Sequence, residues 1–142
     1  MERISQWFLR LAVIYLIAGV ALGNIMGMTN DHSMFPVHAH LNLLGWASLA
    51  LAGLIYIQFP QAAQTKLAGI HFWMHNVSLP VLMAALALLL TGHEAFGPVV
   101  GISATVMATG LAVFVLNVLL NVNAAEKTSS PKTSSPAVAI AQ

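Results

Sequence analysis

The residues best suited to chemistry are two closely spaced pairs of histidines, His38 with His40 and His71 with His75. The chain has no cysteine, so metal or cofactor ligation falls to histidine, methionine, asparagine and the few acids. His38 and His40 lie in the stretch Val37-His38-Ala39-His40-Leu41-Asn42-Leu43-Leu44-Gly45-Trp46. Residues two apart on a helix point about 200° away from each other, so these imidazoles cannot chelate one ion and serve neighbours on opposite flanks. Two imidazoles in one turn at membrane depth are costly, and polar groups placed there are usually functional. His71 and His75 lie in Gly69-Ile70-His71-Phe72-Trp73-Met74-His75-Asn76. Their spacing puts both on one face, which suits two ligands to a second metal and equally a hydrogen-bonded polar seam. Asp31, His32, His93 and Glu94 have side chains that bind zinc or copper, although ordinary loops look the same. Met26, Met28, Met34 and Met74 offer thioethers to copper(I), but seven methionines in so apolar a chain are mostly filler.

Four uncharged, apolar stretches must position these residues, and they read as helices at about 7–28, 37–59, 67–91 and 96–122. Pro36 suits a helix start and Pro60 stops the second span, while Pro80 should kink the third and free the carbonyl of Asn76. At helical rise His75 lies roughly 13 Å in from one end of its span, and His38 and His40 within about 5 Å of the opposite end of theirs. The two pairs are therefore not expected to share one iron. Gly19, Gly23 and Gly27 recur every four residues on the first span and make a smooth stripe for close helix approach, within the chain or between subunits.

The fold class that follows is all-α, an integral membrane four-helix bundle over residues 1–123. With 58% hydrophobic and 6% charged residues, no soluble domain of 142 residues could be covered by polar surface. A net charge of +1 excludes a nucleic-acid partner that needs a basic face. Arg3, Arg10, Lys66, Lys127 and Lys132 fall on one side of the span pattern and none on the other, which puts both termini in the cytoplasm. Trp7 and the 56–59 segment are then expected at the inner interface. The first span lacks a small-residue cleavage site and reads as a retained helix. Residues 124–142, with Lys-Thr-Ser-Ser-Pro twice in succession, read as a disordered cytoplasmic tail.

Val37 to Pro60, VHAHLNLLGWASLALAGLIYIQFP, resembles the tenth helix of the catalytic subunit of haem-copper oxidases, closest to the nitric oxide reductase and cbb-type branches. Residues 69–91 resemble the eleventh helix of the cbb-type branch, and helices one and four follow by order alone. The resemblance implies haem b as cofactor, with His38 in the place of the ligand to the high-spin haem and His40 in that of the ligand to the low-spin haem. Any enzymatic activity would be that of an oxidoreductase of this type. The chain departs from the family in length, matching only the last four of twelve helices, and it lacks the helices that carry the copper ligands. The family's helices form three four-helix arcs, so the implied assembly is a homo-oligomer, a trimer, of this chain in a bacterial inner membrane with a redox partner. Bis-histidine haem would serve electron transfer, and an open iron would bind O2 or NO. The alternatives are a copper- or zinc-binding protein using His71 and His75, and a structural accessory subunit of a respiratory oxidase.

Overall fold

Apolar segments of this length can satisfy their backbone groups in hydrocarbon only by coiling into helices. The computed structural model describes residues 3–122, of which 90% are helical, with no strand among them. Helix one runs Arg3–Thr29 and ends where Asn30 turns into the left-handed region at φ 55°. Helix two spans Phe35–Gln58, with α-helix at Phe35–His40, a π-helical segment at Leu41–Ser48 and α-helix again at Leu49–Gln58. A short turn at Pro60–Ala63 leads to helix three, Lys66–Leu90, and a tight turn at Glu94–Phe96 leads to helix four, Gly97–Asn121. Each of the four is long and apolar enough to cross a membrane, which makes the chain a multi-pass membrane protein. The expected spans hold to within a few residues, and helix one begins earlier than Trp7 because a charged first turn can sit at the membrane surface. The tail expected at 124–142 lies outside the described residues.

Local signals explain the boundaries. Pro36 occupies the first turn of helix two, where its missing N–H costs nothing. Phe59, turned out of the helical region before Pro60, ends that helix, and Thr65 caps helix three by accepting from the Ala68 amide at 3.1 Å. Helix three continues through Pro80 without a break.

Helix one packs mainly on helix two, and helix three on helix four. Polarity is inverted relative to a soluble protein: Leu119 is 74% exposed and Trp73 67%, whereas His75 and Asn117 are 0% exposed. Hydrocarbon provides no drive for apolar faces to meet, so close backbone approach and internal hydrogen bonds carry the association. Glycine allows that approach. A Cβ on Gly19 would lie 2.7 Å from the Asn42 side chain, and one on Gly23 would lie 2.7 Å from the His38 ring, whereas Gly27 meets nothing within 4 Å. Two of the three stripe glycines thus pack inside the chain. Gly45 on helix two reciprocates, receiving the Tyr15 ring of helix one.

Candidate functional site

Helix two presents His38 and His40 one turn before the π-helical segment, both half-buried. His38 Nδ1–H donates to the Gly19 carbonyl of helix one at 2.9 Å. His40 Nδ1–H donates to the Pro36 carbonyl of its own helix at 2.7 Å. A carbonyl can only accept, so each bond places the proton of the neutral ring on Nδ1 and leaves Nε2 with a free lone pair. The Asn42 amide lies 3.4 Å from His38 Nδ1 but donates to the His38 carbonyl at 2.9 Å, so it does not compete for the ring nitrogen. A metal-ligating histidine has this arrangement, with one nitrogen tied to a carbonyl and the other presented as a ligand.

The π-helical segment that follows has no signal in the sequence beyond Gly45 inside a helix. Such segments are rare and recur at functional sites. Here two side chains bond to its carbonyls. Ser48 reaches back five residues to donate to Leu43 O at 2.9 Å, and His75 Nε2–H of helix three donates to Leu44 O at 3.0 Å.

His71 and His75 do share a face of helix three, with ring centroids 5.4 Å apart and planes at 71°. His71 is held between the rings of Phe8, at 5.0 Å, and Phe114, at 4.7 Å. Its Nδ1 pairs with the Tyr56 hydroxyl at 3.2 Å, and that hydroxyl accepts from Asn117 Nδ2 at 3.3 Å. Asn117 Oδ1 in turn accepts from Thr65 Oγ1 and Asn121 Nδ2, both at 2.9 Å. The result is a polar seam joining helices two, three and four. Tyr56 is therefore a core residue, 1% exposed, and not an outward-facing interface ring. It also lines a cleft of about 480 Å³ with Gln6 and Gln64, at the end of the bundle that carries Lys66. The far nitrogens of the pair, His71 Nε2 and His75 Nδ1, are buried without a partner.

Among the described residues, no three of His, Asp and Glu converge on one point that could hold a metal ion. The two histidine pairs are accordingly separate sites, and Asp31, His32, His93 and Glu94 form no cluster. Asp31 instead closes a turn by accepting from the Ser33 amide at 2.9 Å, and these bonds to Ser33 hold its carboxyl below the ordinary value. His93 Nδ1 lies 3.3 Å from the Leu88 carbonyl and 3.2 Å from the Thr91 hydroxyl, at the end of helix three and the turn that follows it. Sequence reasoning missed Asn117 and the internal role of Tyr56, because their partners lie dozens of residues away on other helices. No protein-family model, curated protein or solved structure matches the chain.

Proposed function

We propose that the chain is a haem b protein of the bacterial inner membrane, with both termini in the cytoplasm, in which His38 and His40 supply axial ligands at subunit boundaries of a homotrimer. One observation carries the ligand assignment: both rings spend Nδ1–H on backbone carbonyls, at 2.9 Å and 2.7 Å, and keep Nε2 as a lone pair. Ring orientation is fixed as well, since His38 is seated against Gly23 and tied to Gly19 of helix one.

Helix geometry supports an oligomer. One helix offers its ligands about 200° apart, so each subunit gives one imidazole to the haem on its left and the other to the haem on its right. A closed ring satisfies every such site. The choice of three rests on the resemblance to a subunit built of three four-helix arcs. With both axial positions filled, bound haem would serve electron transfer, and the chain's own part is to hold the iron between two neutral imidazoles. The test co-expresses His38→Ala and His40→Ala chains carrying different tags and isolates the mixed oligomer. A junction that brings together the intact His38 of one chain and the intact His40 of the other should recover bis-histidine haem spectra. If mixing recovers none, the shared site is wrong.

A further inference from the structure

The geometry points to a second, independent ligand site inside each chain: a two-coordinate copper(I) site between Nε2 of His71 and Nδ1 of His75. Both nitrogens are buried and unpartnered in side chains that are 1% and 0% exposed. Leaving two such groups unpaired costs about 1–3 kcal/mol each, so a native structure that keeps them has a use for them. Each ring has an acceptor for its other nitrogen. His75 donates Nε2–H to Leu44 O at 3.0 Å, which fixes Nδ1 as a lone pair. The Tyr56 hydroxyl, 3.2 Å from His71 Nδ1, accepts from the Asn117 amide and can either donate its O–H to Nδ1 or accept an N–H from it. Copper(I) selects the second tautomer, in which Nε2 is bare. In that tautomer both imidazoles ligate without releasing a proton.

Three features select the ion. First, neither nitrogen has surface that a water-sized sphere reaches, so a bridging water lacks room, whereas a bare ion bonds at about 2 Å. Second, the described residues bring no third His, Asp or Glu to the pair, and zinc in proteins is almost always four-coordinate. Copper(I) is satisfied by two neutral nitrogens in a line. Third, the surroundings are the faces of Phe8 and Phe114 and contain no carboxylate, and the Born cost of burying a charge grows with its square, making a divalent ion about four times as costly. Nothing in this inference depends on haem or on the oligomer.

The experiment titrates copper(I) anaerobically into haem-free, full-length protein in mild detergent against a chromophoric cuprous chelator. Wild type should retain one copper per chain, as should the His38→Ala/His40→Ala double variant, so a wrong haem assignment leaves this result standing. His71→Leu and His75→Leu should each weaken retention by more than the tenfold or so that loss of an outer-shell partner costs. Wild type holding no more copper than empty micelles overturns the site, as does loss of copper with the helix-two variants alone. Should the leucine variants fail to fold, X-ray absorption of the copper-loaded wild type decides. Two nitrogen neighbours in a line uphold the site, and a sulfur neighbour or a third ligand refutes it.

Discussion

His38 and His40 are half-buried near the start of helix two and bond carbonyls of helices one and two, whereas His71 and His75 are fully buried, His71 pairing with the Tyr56 hydroxyl and His75 with the Leu44 carbonyl of a neighbouring helix. The first pair is tied to backbone carbonyls through Nδ1, which leaves Nε2 as a lone pair. The second pair is clamped by aromatic faces and a side-chain seam, with its free nitrogens turned toward the interior. Two imidazoles at a spacing of two cannot converge, and two at a spacing of four must share a face. On the proposed function the same residue type would act between subunits in one place and within a subunit in the other.

The sharpest way to break this contrast is at the first pair. His38→Ala or His40→Ala should each remove most of the haem, because one axial imidazole holds iron weakly, while the fold survives. Haem stoichiometry by pyridine haemochrome measures the loss, and wild-type values in both variants would rule out the ligand assignment. Gly23→Leu should come next. Its side chain must occupy space held by the His38 ring, with the first carbon already 2.7 Å from it, so haem content should fall although no ligand is removed. Gly27→Leu, at a position with nothing within 4 Å, is the control, and equal losses in the two would move the effect from the His38 seat to a subunit interface.

How much of this was legible beforehand depends on the range of the interaction. The helices, the two histidine spacings and the glycine stripe are local patterns, and runs of apolar residues, 3.6-residue periodicity and proline positions reveal them. The π-helical segment is not local in that sense. It is held partly by His75 reaching Leu44 from another helix, a contact between residues 31 apart in sequence. Asn117 meets Tyr56 across 61 residues, and in the sequence it is one asparagine in an apolar run. Tyr56 near a helix end reads as an interface ring, and only the position of helix four turns it into a core donor and acceptor.

Asn117→Leu sharpens the comparison from the other side. It removes one hydrogen bond from each of Thr65, Tyr56 and Asn121, so the bundle should lose about 1–2 kcal/mol, near the upper range for a hydrogen bond between membrane helices. Resistance to SDS unfolding reads this, and haem content should change less than in the helix-two variants. A larger haem loss here than in His40→Ala would mean that the two sites are coupled.

The smallest effect concerns acid. The Asp31 carboxyl is held below its ordinary value of 3.8 by hydrogen bonds to Ser33. A depressed carboxyl contributes stability that is present above the unfolded value and lost as pH falls through the lower folded one. Its exposed position makes that contribution slight. Between neutral pH and about 4, Asp31→Asn and wild type should therefore show indistinguishable thermal transitions, and a gap between them would reveal a partner for this loop.

The inverted burial also has a calorimetric consequence. Unfolding a soluble domain raises the heat capacity because apolar groups enter water. Here Leu119, Trp73 and their neighbours already face outward, and separation of the helices would expose Phe8, Leu49 and Leu79, with His75, Asn117 and the small residues, to lipid. Pulling the four helices apart in a bilayer would transfer little hydrocarbon surface into water, so the heat-capacity step should be close to zero. The stability curve would then be nearly straight in temperature, without the cold-side downturn that apolar hydration gives a soluble protein.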